Sequence, residues 1–365
     1  MKIGIDGSRA FLKEKTGVEE YSYQVIKHLA QTRNFNDSKN KVVLYLRKGQ
    51  KVDFKLPKNW KAKNLNWPRF WTQLGLSLEM LFYSVDALFV SAHVVPLIHP
   101  KKTFVVIHGL EYEIVNESYS GWSRFYMRWS IKMACRWSER IIAVSKNTKK
   151  DLIELYKIPE DKIEVIYEGV SKNFQFPISN FQSNLNDKIS NYKPYLLFIG
   201  RLEKRKNVKG IIEAYEILKE KYDIPHSLVL AGSPGYGYDI IKLKIDNSLK
   251  IIKLGYIEES EKNKLIANAD MFLFPTFYEG FGLPVLEAQT LGVPVVTSNV
   301  SSLPEVGGES VAYCNPQEPM SIAAAIHKII KDESYKEFLI KKGYENVKRF
   351  DWKKCAEEIG EVLLK

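Results

Sequence analysis

Cysteine is scarce in this chain, with three in 365 residues. Cys135, Cys314 and Cys355 are too few and too scattered for a disulfide framework or a zinc site, which fits a reducing cytoplasm. A long apolar run is missing as well. The most apolar stretch, 80–98, is interrupted by Asp86, His93 and Pro96 and makes a poor membrane span. The first residues lack the charged start, apolar core and small-residue cleavage site of a signal peptide, and 2–5 read as a strand. No Asp-x-Asp pair occurs, and the six histidines show no helical ligand spacing, so no metal site is expected. Low-complexity tracts and short repeats are absent. So is any recognised nucleic-acid-binding module, which argues against a nucleic-acid partner.

What is present suits two globular domains. A chain of this length splits into domains of roughly 150–200 residues each. A hydrophobic content of 45% supplies large cores and argues against disorder. The net charge of +11 is one-sided: residues 1–180 carry 29 Lys and Arg against 18 Asp and Glu, and residues 181–365 carry 25 of each. A basic first half attracts an anionic partner, such as a membrane surface or a phosphate-linked acceptor.

Short β-branched runs alternate with amphipathic stretches. Strands are expected at 2–5, 41–46, 87–90, 103–107, 140–144 and 163–166, then at 195–199, 227–231, 251–254, 271–274 and 293–297. Helical periods fall between them, for example at 20–30, 122–137, 207–222 and 259–268. Such alternation implies parallel sheets covered on both faces. The pattern pauses over 171–193, which is rich in Asn, Ser and Asp. This divides the chain into a domain at 1–175, a linker at 176–193 and a second domain at 194–349. The helix in 350–365 is expected to pack back on the first domain. Ligands of doubly wound sheets bind outside the carboxyl ends of the strands.

The stretch 274–288 carries the chemistry. A strand ends at Phe274, a loop with two glycines follows, and a helix is expected to start with Pro284, whose missing N–H costs nothing there. The N–H groups of Phe281, Gly282 and Leu283 then point out of the helix start and suit anions and hydroxyl oxygens. Glu279 lies just before this start and Glu287 one turn into the helix, on the same face as Leu283. Two carboxylates so placed can accept from the vicinal hydroxyls of a ribose or a hexose. A solvated Glu at either position alone would be unremarked; the spacing, glycines and proline together are hard to explain as packing.

Glu279 to Glu287 resembles the E-x7-E motif of retaining glycosyltransferases of family 4, which have the GT-B fold. Gly200-Arg201-Leu202 with Lys206-Asn207, Leu254-Gly255-Tyr256, Ala288 through Val296, and Ser302 through Val306 extend the resemblance over nearly the whole chain. It implies an α/β fold of two doubly wound, Rossmann-like domains facing across a cleft. It also implies roles. Arg201 and Lys206 would bind the donor diphosphate and stabilise its charge on departure, in place of a metal. Glu287 would bind the ribose. Glu279 and the amides of Phe281, Gly282 and Leu283 would hold the transferred sugar, and backbone near Tyr256 would meet the base. In the first domain, Gly17 would let the backbone approach phosphates or acceptor, and His108, at the end of a strand, would lie near the transferred sugar. Gly109 follows His108 where the family often has Asp, which leaves the acceptor-side base unassigned.

Two weaker signals remain. Gly232 to Gly237 follows a strand but lacks the spacing of a dinucleotide fingerprint or a P-loop, and reads as a structural loop. Trp67 to Trp71 mixes aromatic and cationic side chains and suits a lipid headgroup or acceptor contact. In 122–136, Trp122, Phe125, Trp129 and Met133 are expected to form a buried stripe with the arginines solvated. The implied function is metal-independent, retaining transfer of a hexose from a nucleotide diphosphate sugar to a glycan or lipid-linked glycan, with no other cofactor. Residues 6–9 and 71–73 resemble bacterial polysaccharide mannosyltransferases and favour GDP-mannose; UDP-glucose and UDP-N-acetylglucosamine stay open. So do a nucleotide-sugar epimerase of the same fold and a non-catalytic binding protein. The expected location is the cytoplasm, at the inner face of the membrane.

Overall fold

The structure is a computed structural model that describes residues 1–33, 35, 37–115, 118–171, 192–246 and 251–365. Residues 172–191, and with them most of the expected linker, lie outside the described residues. Two compact units are present. One comprises Met1–Leu110, Gly121–Gly169 and Phe350–Lys365; the other comprises Glu111–Ser120 and Val170–Arg349.

The first unit is built on a parallel sheet of β1 (Lys2–Asp6), β2 (Lys41–Arg47), β3 (Trp60–Leu65), β4 (Ala87–Val90), β5 (Lys102–Ile107), β6 (Arg140–Ala143) and β7 (Ile163–Val165), in the order β3-β2-β1-β4-β5-β6-β7. The central strands are near-continuous apolar runs and are buried, as sheets covered on both faces require. The order reverses at β1, so the crevice outside β1 and β4 is this unit's expected ligand position. The helix Trp352–Leu364 packs against the helix Gly17–Leu29, with the Trp352 and Tyr21 rings 5.8 Å apart.

The second unit is built on β8 (Tyr195–Ile199), β9 (Ser227–Ala231), β10 (Ile251–Gly255), β11 (Met271–Phe274), β12 (Val295–Ser298) and β13 (Ala312–Cys314), all parallel, in the order β10-β9-β8-β11-β12-β13. Here the reversal falls between β8 and β11. At the opposite, amino ends of these strands, Asp270 takes His226 Nε2 at 2.7 Å on one oxygen and Lys336 Nζ at 2.7 Å on the other. The His226 hydrogen bond, with help from Lys336, holds the Asp270 carboxyl down at about 2. A depressed carboxyl contributes stability above its unfolded value of 3.8 and loses it as pH falls through the folded value. Asp270→Asn is therefore expected to unfold at lower urea than the parent at pH 7. The gap should close as pH approaches 2, as urea titrations at both pH values would show.

The helix Gly121–Trp137 corrects the expected buried stripe. Its buried residues are Ser130, Ile131, Ala134 and Cys135. Trp122 is 76% exposed and Phe125 61%, and Tyr126 and Trp129 are exposed beside them. Small and aliphatic side chains let this helix lie close to the sheet, so the aromatic face turns outward. In the Trp67 to Trp71 stretch, Phe70 is exposed while Trp71 is buried. Among the described residues, no helix is long and apolar enough to cross a membrane.

Candidate active site

The site of the second unit forms where β8 and β11 end side by side. After β8, the chain runs through Gly200 and the short turn Lys204–Lys206 into the helix Val208–Tyr222. Asn207 makes that entry. It sits in the left-handed region at φ 56 and is buried, and its Nδ2 donates to Pro275 O at 2.9 Å and Pro316 O at 2.7 Å. These bonds tie the loop after β8 to those after β11 and β13.

Across this junction lies a charge cluster. Lys206 Nζ donates to Glu279 Oε1 at 2.7 Å, and Arg205 Nη1 donates to the same oxygen at 3.2 Å. Arg205 also reaches Glu203 Oε1 at 2.9 Å and Tyr278 O at 3.2 Å. Burial works against the Glu279 charge, but Lys206 and Arg205 outweigh it and hold the carboxyl below its usual value. Burial and the neighbouring Arg205 charge pull Lys206 below the usual lysine value, with Glu279 opposing. For Arg205, burial disfavours the cation, but Glu279, Glu111 and Glu203 overcome it and raise the guanidinium value. The loop carrying Glu279 is itself anchored. Ser302 Oγ donates to Glu279 O at 2.9 Å and to Phe281 O at 2.6 Å, and Glu279 N donates to Ser301 Oγ at 3.1 Å.

The helix Leu283–Thr290 begins one residue earlier than expected, with Leu283 first and Pro284 second. Gly282 caps it at φ 119, and a Cβ there would meet Leu303 Cδ2 at 2.9 Å, so only glycine fits. Leu283, as the first helical residue, has no carbonyl one turn back within the helix. Glu287 is mostly buried and accepts from Lys262 Nζ at 2.8 Å. Tyr256 is exposed just after β10.

The sequence did not single out two cations of this site, Arg205 and Lys262. Arg201 is exposed, and the second cation on Glu279 is Arg205. Lys262 was not anticipated at all. Both Arg205 and Lys262 sit in charged runs, and only their tertiary position distinguishes them from solvated neighbours. The loop Gly232 to Gly237 does serve structure: Gly232 N donates to Gly255 O at 2.6 Å, and Leu202 N to Ser233 O at 2.9 Å.

In the first unit, Gly17 is already the first residue of its helix, capped by Thr16, whose N–H donates to Glu19 Oε2 at 3.1 Å. A Cβ at Gly17 would meet nothing within 4 Å, so the space directly in front of it is open. His108 is held on both ring nitrogens. Nε2 lies 2.9 Å from Ser91 O, which can only accept, so Nε2 carries a proton; Nδ1 lies 3.4 Å from Glu168 Oε1. Its ring packs edge-on to Tyr21, centroids 4.6 Å apart, and to His93 at 5.2 Å. His93 itself has φ 42, and its Nδ1 is buried without a hydrogen-bond partner. Burial first, then His108 and Arg9, hold the His93 ring well below the usual histidine value, so it is neutral.

Comparison with known proteins gives concordant matches. Residues 182–346 match the family of glycosyl transferases group 1, and residues 16–174 match glycosyltransferase family 4. The chain is 32% identical over 240 residues to O-antigen chain mannosyltransferase B of Escherichia coli, covering 64% of this chain and 62% of that one. It is 30% identical over 266 residues to the serotype-specific mannosyltransferase WbdA of Escherichia coli, covering 70% of this chain but 32% of that one. The chain thus spans less than two thirds of either relative. Among solved structures, sucrose-phosphate synthase from Thermosynechococcus elongatus superposes with a TM-score of 0.75 at 18% identity, over 99% of this chain and 97% of that one. Anabaena HepE in complex with UDP-glucose does so at 0.73 and 17%, over 100% and 99%. At such identities the likeness concerns the fold, which is GT-B.

Proposed function

This chain belongs to the group 1, family 4 glycosyltransferases, and from that premise we propose that it transfers a hexose, with retention, from a nucleotide diphosphate sugar to a hydroxyl of a glycan or lipid-linked glycan. The observation that carries this reading is the Arg205–Lys206–Glu279 cluster at the β8/β11 switch point, with Glu287 on the helix that follows. Fixed cations at this position stabilise the charge that develops on a leaving diphosphate. Lys206, Arg205 and, from the same loop, the exposed Arg201 supply that charge. Glu279 and the start of the helix at Leu283 hold the sugar, Glu287 the ribose, and the backbone near Tyr256 the base. Attack takes place on the face the leaving group vacates, and a diphosphate oxygen takes the acceptor proton. No protein nucleophile is then needed. His108 serves the transferred sugar, and Gly17 lets the backbone approach the phosphates or the acceptor.

Mannose from GDP-mannose is the first candidate, because the relatives at 30–32% identity bear mannosyltransferase names. The test is product analysis with GDP-mannose, UDP-glucose and UDP-N-acetylglucosamine, reading nucleotide release and the anomeric configuration of the product. An epimerised donor, or an inverted product, would refute the proposal. Since protein cations meet the diphosphate, a chelator is expected to leave transfer unchanged within about twofold. A strong loss restored by magnesium or manganese would contradict this.

We place the reaction at an anionic membrane surface in the cytoplasm. The helix Gly121–Trp137 exposes Trp122, Phe125, Tyr126 and Trp129 and continues on the same side with exposed Lys132 and Arg136. Arg69, Phe70, Leu81 and Phe82 are exposed in the β3–β4 connection. Both connections step along the sheet in the same direction, and right-handed crossovers put them on one sheet face. Aromatic and aliphatic side chains beside cations suit a headgroup layer. Vesicles with anionic lipid should co-sediment the protein at least about tenfold better than neutral ones, and Trp122→Ala with Phe125→Ala should remove most of that binding. Equal recovery with both vesicle types would refute it.

A further inference from the structure

Lys262 is a cation with no role in the reading above. It lies on the helix Glu259–Ala267, which follows β10, and its side chain is 17% exposed. Nζ sits 2.8 Å from Glu287 Oε1 and 2.8 Å from Glu259 Oε1. The two partners differ. Glu259 is 74% exposed, and such a pair one turn apart on a helix surface contributes little. Glu287 is 20% exposed, so its attraction to Lys262 is poorly screened and dominates. Burial disfavours the ammonium, yet Glu287 and then Glu259 outweigh it and hold Lys262 above the usual lysine value. Lys262 is therefore a charged group fixed against one oxygen of Glu287. Among the described residues, the other oxygen, Oε2, has no hydrogen-bond partner, and it is not buried.

This is the geometry of a carboxylate with one end tied and one end offered. A Glu side chain turns about several bonds, and a carboxylate that must first be ordered binds hydroxyls less well than one held in place. A carboxylate near a diphosphate also repels it, and a cation at 2.8 Å offsets that charge. We propose that Lys262 is a positioning residue for ribose recognition: it orients Glu287 through Oε1 so that Oε2 accepts from the ribose hydroxyls of the donor. The inference rests on the reading of Glu287 as the ribose ligand. The competing explanation is mechanical, with the Lys262–Glu287 pair merely stapling the helix Glu259–Ala267 to the helix Leu283–Thr290.

The two explanations separate in binding experiments that need no acceptor. The protein, Lys262→Met, Lys262→Arg and Glu287→Gln are titrated calorimetrically with GDP and UDP and with their 2′-deoxy and 3′-deoxy forms, and each variant is melted. The parent should prefer the ribonucleotide by about tenfold or more, the worth of a hydrogen bond to a charged group. Lys262→Met should bring the ribo and deoxy affinities within about twofold of each other, at the level of the weaker, and Lys262→Arg should restore most of the preference. A Lys262→Met protein that melts lower but keeps the full ribose preference would overturn the inference in favour of the staple, provided Glu287→Gln loses that preference. Should Glu287→Gln also keep it, the ribose reading of Glu287 fails and the inference falls with it.

Discussion

Replacing Lys206 by alanine is expected to slow sugar transfer by about a hundredfold to a thousandfold, the usual cost of removing one fixed group that meets developing charge. Lys206 is suited to that role by its surroundings. Its side chain is 13% exposed, Nζ is 2.7 Å from Glu279, and the ring of Phe274 lies 4.9 Å away. A cation in so dry a place interacts strongly with an arriving phosphate charge and needs little reorganisation. Arginine is not an equivalent replacement, because its planar fork does not fit where a point charge sits. Folding should survive the change, since Arg205 still pairs with Glu279. A variant that melts near the parent but has lost turnover would support the assignment, whereas near-parental turnover would refute it. Donor hydrolysis in water provides the assay before the acceptor is known.

Gly232→Ala is expected to destabilise the second unit strongly, by about 3 kcal/mol or more and roughly 10 °C in melting temperature. Gly232 has φ 137, where side chains are rarely accommodated, and a Cβ would lie 1.9 Å from the carbonyl oxygen of Gly200. That neighbour is backbone, and Gly200 N is itself bonded to Ala231 O at 3.0 Å. Neither partner can withdraw without parting the carboxyl ends of β8, β9 and β10, from which the loop carrying Lys206 departs. Thermal and urea denaturation measure the effect; a melting temperature within about 2 °C of the parent would show that the contact relaxes freely.

Much of the fold was legible because burial on both faces forces strand sequences such as 103–107 and 195–199 to be unbroken apolar runs. The two strands that escaped notice violate that rule. β3 reads Trp-Lys-Ala-Lys-Asn-Leu and lies at a sheet edge, where exposed lysines are tolerated, and β13 has three residues. The motif from Glu279 to Glu287 was legible because its spacing, glycines and proline leave local traces. Arg205 and Lys262 left none: among Glu203, Lys204 and Lys206, or Glu259, Glu261 and Lys264, nothing local tells which cation folds inward. The helix Gly121–Trp137 was misread for a different reason. Periodicity identifies faces but not which one turns in, and here the small residues did.

The central claim is that the second unit binds a nucleotide diphosphate sugar through the cations after β8 and the two glutamates after β11. Its most direct test is a calorimetric panel of UDP, GDP, ADP and dTDP and their common sugars, with chelator present, on the protein and on Glu287→Ala. The account predicts that one nucleotide binds clearly tighter than the rest, and that Glu287→Ala weakens it by about tenfold or more. No binding by any nucleotide, or an affinity that Glu287→Ala leaves unchanged, would contradict it.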